Sequence, residues 1–293
     1  MKTTIVGLGL IGGSMALDLR HHGIATALTG VDSSADNATQ ALELGIVDEV
    51  NHLEEAIQQA ELIIIAIPVN ALLQQLPLIL DNISDDAIVI DLGSTKGLIC
   101  QSIAHHPKRQ QYVAAHPIAG TENSGPGAAF KGLFEGKTNI ICERERSGKH
   151  ALEKALQVFD TIGMNTIFMQ PDEHDKHVAY VSHLSHVSAF LLGQTVLDIE
   201  KDEKNIFNLA GSGFASTVRL AKSSPAMWAP IFEQNAHYLS QALLEYIMHL
   251  QRFQYALMKK DTDELIRVMT QANQIRHVLD KKQQESTLTS HIK

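Results

Sequence analysis

Cysteine is scarce in this chain: Cys100 and Cys142 are the only two among 293 residues. Two thiols build no disulfide framework, and such usage fits a reducing compartment. Basic residues are also in deficit, with 24 Lys and Arg against 33 Asp and Glu and a formal net charge of -9. That balance disfavours nucleic acid as the main partner, because neutralising phosphates takes clustered cations. Long apolar runs are missing too. The strongest, residues 63–67, falls far short of the roughly 20 residues that a membrane span needs. The opening MKTTIVGLGLIGGS is not expected to be a signal peptide, since Gly7, Gly9, Gly12 and Gly13 interrupt it and no convincing cleavage site follows. A folded cytoplasmic protein is expected, with neither nucleic acid nor membrane as partner.

What is present is an ordinary globular composition, 44% hydrophobic and 19% charged. At roughly 150 residues per domain the length suggests two domains, and each can bury a core without disulfides or structural metal. Up to about residue 165, short apolar runs alternate with helical segments. Residues 2–6, 27–31, 62–67, 87–90, 112–115 and 138–142 read as strands, and their near-continuous apolar character predicts parallel strands covered on both faces. Residues 14–22, 37–44 and 53–59 supply crossover helices, and 152–161 one more before the short run 165–169. Pro171 opens a different regime, in which 172–197 contains no proline and only Gly193, with Asp172, Glu173 and Asp175 at its start. Further helical stretches follow at 227–258 and 263–279, and the polar residues from 281 read as a loose tail. The expected organisation is an α/β doubly wound domain over 1–169, an all-helical domain over 170–280, and the tail 281–293.

Gly7, Gly9 and Gly12 supply the spacing GxGxxG, which alone is a weak signal. Here it follows the apolar strand TTIV and precedes the helical stretch SMALDLRHH, the order that a Rossmann-type nucleotide site requires. Gly7 permits a tight turn, Gly9 lets backbone approach a pyrophosphate, and Gly12 lets helix pack closely on strand. Leu10 and Ile11 lie within the same turn, where the N–H groups of the helix start meet phosphate charge. Asp32 follows Gly12 by 20 residues at the end of the second strand. Its carboxylate can bind both adenine-ribose hydroxyls and would repel the extra phosphate of NADP. Ser33 and Ser34, rather than an arginine, come next, so NAD is the expected cofactor.

Polar groups beyond the later strands fall where an open α/β sheet binds ligands. Ser94 either reaches a substrate hydroxyl or, like Thr95, caps a helix; Lys96 either neutralises an anion or supports its loop. His116 follows the run YVAA directly and is restrained by Pro117. At that position it can accept a hydroxyl proton as hydride leaves. His183 and His186 stand three apart on one helical stretch, and His174 and His177 repeat the spacing. An HxxH pair with no completing ligand does not specify a metal, so none is expected. His186 reads as a substrate contact, with simple packing or capping as the competing role. Arg219, among apolar neighbours, presents a planar fork suited to a carboxylate; the competing reading is a salt bridge between domains. Met227, Trp228 and Phe232 read as helical core, with Glu233 or Asn235 orienting polar groups at its edge.

Taken together, GLGLIGGS at 7–14, DLGSTKG at 91–97, HPIAGTENSG at 116–125, SHLSH at 182–186 and the GF…R…PAMW region at 213–228 resemble the prephenate and arogenate dehydrogenases of tyrosine biosynthesis. The first motif is shared by many NAD enzymes, whereas HPIAGTENSG with SHLSH and MW is far more particular. The resemblance implies oxidative decarboxylation of prephenate to 4-hydroxyphenylpyruvate and CO2 with NAD reduced, carried out by a homodimer. It also implies roles. His116 would contact the ring C4 hydroxyl, Ser94 would orient that hydroxyl and His116, and Arg219 would bind the ring carboxylate. His186 and Ser182 would help form the pocket, while Glu122 would be a gating carboxylate positioned by Thr121. One departure stands out: many relatives carry an acidic residue three positions before the arginine, where this chain has Ser216. No appended regulatory or chorismate mutase domain is expected. The alternatives are an arogenate dehydrogenase, a β-hydroxyacid dehydrogenase sharing the glycine turn, or an inactive NAD-binding regulator.

Overall fold

The computed structural model describes residues 1–203 and 205–280, so the tail expected from residue 281 lies outside it. The chain divides into two compact units, Met1–Ala236 and His237–Lys293. In the first unit the order is β1 (Lys2–Val6), α1 (Leu10–His21), β2 (Ala27–Val31), α2 (Ala35–Glu43), β3 (Glu49–Val50), α3 (Leu53–Gln58), β4 (Leu62–Ile65), α4 (Val69–Asn82), β5 (Ile88–Asp91) and α5 (Gly97–Ser102). Then come β6 (Tyr112–Pro117), β7 (Thr138–Cys142), α6 (Lys149–Thr161) and β8 (Asn165–Met169). The helices α7 (Pro171–Val178), α8 (Leu184–Asp202), α9 (Ser212–Thr217) and α10 (Pro225–Gln234) complete the unit.

The strands form one sheet in the order β3-β2-β1-β4-β5-β6-β7-β8. Every residue of β4 and β5 is buried, as the apolar runs predict for central strands covered on both faces. Alternate side chains feed two cores. Ile5, Ile64 and Ile90 pack on one face with Leu19 and Phe159, whereas Val6, Ile63, Ile65 and Val89 pack on the other with Leu72, Leu76 and Ile99. Trp228 and Ile231 of α10 belong to that second core, so the helical segment is seated on the nucleotide sheet through α10.

Parallel pairing holds from β3 through β6, but β6 pairs antiparallel with β7, and β8 follows β7. The expectation of parallel strands throughout is corrected here. The connection 118–137 carries no crossover α-helix, and without one the chain returns as a long hairpin. This reversal extends β6 two residues beyond the expected end, because His116 and Pro117 pair with Ile140 and Asn139.

Helix α7 starts at Pro171 with Asp172 and Glu173 in its first turn, as the sequence predicts. It continues into α8 through one π-helical turn, Ala179–His183, which inserts a register shift into the expected regular helix. The helix expected over 227–258 is broken at Asn235, whose amide is engaged by other elements. In the second unit α11 (Ala236–Lys259) and α12 (Thr262–Ala272) are joined at Asp261, whose side chain accepts the Glu264 N–H, and Arg252 pairs with Glu264 at 2.8 Å. Leu244, Met248, Leu250, Leu257 and Met258 of α11 and Ile266 and Met269 of α12 are exposed. Among the described residues no helix is long and apolar enough to cross a membrane.

Candidate active site

The first strand hands directly into the glycine turn. Gly7 has φ +97°, and a Cβ on Gly12 would lie 1.9 Å from the Gly7 carbonyl oxygen, so neither position admits a side chain without moving backbone. Gly9 begins α1, and no atom stands within 4 Å of where its Cβ would be, so a ligand can approach the backbone there; Leu10 and Ile11 lie in the first helical turn, whose N–H groups have no intrahelical acceptor. The half-buried Asp32 accepts the Leu8 N–H through Oδ2 at 2.8 Å and the Ser34 N–H through Oδ1 at 2.9 Å. Its carboxylate is thus fixed beside the turn with lone pairs to spare. These residues fit a dinucleotide: a helix start for its pyrophosphate, a clear approach over Gly9 and a carboxylate for its ribose.

The carboxyl end of β5 carries a buried charge cluster. Asp91 and Lys96 are both wholly inaccessible and form an ion pair. Asp91 also accepts the Tyr112 hydroxyl at 2.6 Å and the Gly93 N–H at 2.9 Å. Of the two readings of Lys96, loop support is the one observed. Neither Ser94 nor Thr95 caps α5. Its first N–H groups are instead taken by Asp175 of α7, which accepts from Lys96 and Gly97 at 2.8 Å each. Gly97 is required for that approach, since a Cβ there would sit 2.9 Å from Asp175 Oδ2. Thr95 donates to Gln234 of α10 at 2.7 Å, while Ser94 is half-buried and makes no side-chain hydrogen bond among the described residues.

His116 sits at the carboxyl edge of the same sheet, on β6. Its Nδ1 lies 2.7 Å from Nε2 of His174, and Nδ1 of His174 lies 2.8 Å from Oδ1 of Asp175. Asp175 therefore joins the start of α5 to a chain of two imidazoles. Burial, and then the neighbouring His174, Lys96 and His183 charges, push His116 well below the usual imidazole range. Burial likewise lowers His174, against the upward pull of Asp175. Burial lowers His183 to about 4.

Asn235 completes the arrangement, donating from one amide nitrogen to the Asp175 carbonyl at 2.7 Å and contacting His183 Nδ1 at 3.0 Å. The π-helical turn lets His183 and His186 flank one indole: His186 stacks on Trp228 with centroids 3.5 Å apart, and His183 meets its edge at 5.9 Å. Ser182 contributes its carbonyl oxygen, 3.0 Å from His186 Nδ1. Trp228 is core, as the sequence reading has it, but Met227 is 41% exposed and is not.

Arg219 is half-exposed rather than enclosed, and its Nη1 donates to Glu122 at 2.8 Å. His186 is lowered by burial and then by the Arg219 charge, against the upward pull of its bond to Ser182. Glu122 is lowered by its own backbone N–H and then by Arg219. Arg219 thus finds a carboxylate on the β6–β7 connection, where Thr121 Oγ1 accepts the Asn123 N–H at 3.2 Å. Sequence reasoning singled out His174 only for its spacing and Asp175 only as a helix-start charge. Neither stood out as a partner of His116, because their relation arises from β6, α5 and α7 meeting in space.

Two family matches divide the chain: the prephenate dehydrogenase nucleotide-binding domain over residues 15–168, and the prephenate dehydrogenase dimerization domain over 170–271. The prephenate dehydrogenase of Bacillus subtilis is 31% identical over 97% of this chain and 78% of its own length. The chain belongs to the prephenate dehydrogenase family. A cyclohexadienyl dehydrogenase of Zymomonas mobilis, 28% identical, covers 94% of both proteins. Among solved structures, a prephenate dehydrogenase from A. aeolicus in complex with hydroxyphenyl propionate and NAD+ superposes with TM-score 0.86. It is 30% identical, over 95% of this chain and 98% of that one. Synechocystis arogenate dehydrogenase gives TM-score 0.73 at 29% identity, over 94% and 99%. Family membership fits the fold: a Rossmann-type nucleotide-binding domain followed by helices.

Proposed function

We propose that this member of the family is an NAD-dependent prephenate dehydrogenase, converting prephenate to 4-hydroxyphenylpyruvate and CO2. The observation that carries the reading is the place of His116, held 2.7 Å from His174 at the sheet edge that also holds the glycine turn and Asp32; burial, lowering it well below the usual imidazole range, favours its neutral form. NAD, when bound, accepts the hydride. His116 accepts a hydrogen bond from the C4 hydroxyl as hydride leaves C4, and electrons from the breaking C1–carboxylate bond complete the aromatic ring. Ser94, whose side chain makes no hydrogen bond among the described residues, orients the hydroxyl. His186, held by the Ser182 carbonyl and Trp228, lines the pocket. Turnover of prephenate and arogenate with NAD and NADP tests the assignment: higher kcat/KM with arogenate rejects the substrate, and preference for NADP rejects the role of Asp32.

Arg219 binds the ring carboxylate, a role supported by the carboxylate of Glu122 already resting on its Nη1. Glu122 must yield that position, which makes it the gate, with Thr121 bracing its loop. Arg219→Ala is expected to raise the KM for prephenate by about 10- to 100-fold, as for loss of a charge-assisted hydrogen-bonded pair, with kcat changed much less. An unaltered KM removes the clamp.

The functional division falls at 169/170, and the protein acts as a homodimer in the cytoplasm. Dimerisation is supported by the family of residues 170–271 and by the exposed apolar residues of α11 and α12; the compartment is supported by two free, buried cysteines. Sedimentation at low micromolar concentration is expected to give twice the 32.1 kDa chain mass. A monomer independent of concentration refutes it.

A further inference from the structure

The chain His116–His174–Asp175 has a direction that follows from its end. Asp175 is an acceptor on both oxygens, taking the Lys96 and Gly97 N–H groups as well as the His174 ring. A carboxylate can only accept, so Nδ1 of a neutral His174 carries the proton and its Nε2 presents a lone pair. At 2.7 Å that lone pair is met by a proton on Nδ1 of His116. A neutral imidazole bears one proton, which leaves Nε2 of His116 unprotonated. We infer that His174, oriented by Asp175, is a positioning residue that fixes His116 in the Nδ1–H tautomer and so presents its Nε2 as the acceptor for the substrate hydroxyl. The inference deepens the proposed function and rests on its assignment of His116.

The supporting groups are themselves fixed. Asp175 is 5% exposed and His174 fully buried, and the Asp175 carbonyl is tied by Asn235. His183, the other imidazole beside the chain, has its Nδ1 engaged by the Asn235 amide, which leaves it outside the line from Asp175 to His116. Lys96 is committed to Asp91 and offers no competing acceptor. The reaction also needs polarisation rather than proton export. Hydride passes from C4 to NAD, the C1–CO2 bond pair enters the ring, and the oxygen at C4 keeps its hydrogen in the phenol product. Any proton that His116 draws toward itself is returned. Positive charge growing on His116 is then spread through the Nδ1–H bond to His174 and onward to Asp175.

The test uses the full-length protein with 15N-labelled histidine. Ring-nitrogen shifts, with the His116 signals identified by their loss in His116→Asn, are expected to show Nε2 unprotonated in the unaltered protein. In His174→Leu the proton is expected to move to Nε2, and kcat for prephenate to fall about 100-fold with KM changed less than about threefold. His174→Gln restores an acceptor and is expected to recover at least about tenfold of that loss. An Nε2-protonated His116 in the unaltered protein, an unchanged kcat in His174→Leu, or equal losses in both variants overturns the inference. Should the leucine variant fail to fold, the shifts of the unaltered protein still decide. Those shifts need no turnover, so an unaltered protein inactive on prephenate would count against the proposed function and not against the tautomer.

Discussion

His116→Asn is expected to reduce kcat for prephenate by about 10²- to 10⁴-fold, the usual contribution of a positioned acid–base group, with NAD affinity unchanged. The amide retains a polar side chain at the edge of β6 but cannot take on the growing positive charge. The pH dependence follows from the same residue. Burial and nearby positive charge hold His116 well below the ordinary imidazole value, so the active neutral form persists through neutral pH. The acid limb of kcat/KM for prephenate should therefore have its midpoint below 6.5, and His116→Asn should lose that limb. A midpoint at or above 6.5, or a limb unchanged in the variant, contradicts the assignment.

Acid also acts on the fold, and the sign can be worked out. His116, His174, His183 and His186 are all lowered in the folded chain, chiefly by burial. Below the unfolded value of about 6.5 the unfolded chain binds protons that these imidazoles refuse, so stability falls as pH falls. For His183, lowered to about 4, the loss runs from 6.5 down to that value. Within that window the slope is at most about 1.4 kcal/mol per pH unit. Activity measured after brief acid exposure and return to neutral pH separates protonation of His116 from unfolding.

How far the sequence carried depends on how local each determinant is. The glycine turn, β1, β2, β7 and β8 have the bounds read from it, because apolar runs and turn glycines act within a few residues. The reversal at β7 was hidden, since period and apolarity do not encode strand direction; only the missing crossover helix in 118–137 hints at it. The break at Asn235 was hidden for another reason: the partner of its side chain lies 60 residues away in Asp175. Among site residues, His116 was legible from its place after an apolar strand. Arg219 was legible as a cation for either a substrate carboxylate or a salt bridge between domains; the structure shows an ion pair, and its partner Glu122, 97 residues distant, came to notice only through family resemblance. Asp175 was least legible: it supports α5, His174 and Asn235 at once, yet in sequence it is one more acidic residue near a helix start.

Lys96→Met is expected to destabilise the fold by about 3–5 kcal/mol, the cost of removing one partner from a buried pair. Lys96 and Asp91 are both inaccessible to solvent, so the methionine would leave a carboxylate in the core with only the Tyr112 hydroxyl and the Gly93 N–H to satisfy it. Surface pairs lost in the same way change stability by about 0–1 kcal/mol, which separates this site from Arg219–Glu122. Adding Asp91→Asn removes the stranded charge and should recover part of the loss, and urea unfolding of the single and double variants reads both effects. Lys96 also lowers His116 electrostatically. In whatever fraction of Lys96→Met folds, the acid limb of kcat/KM should therefore move upward toward 6.5. A variant unfolding within about 1 kcal/mol of the unaltered protein would show that the pair is not the dominant support of the β5 edge. An acid limb that stays in place would show that its charge does not reach His116.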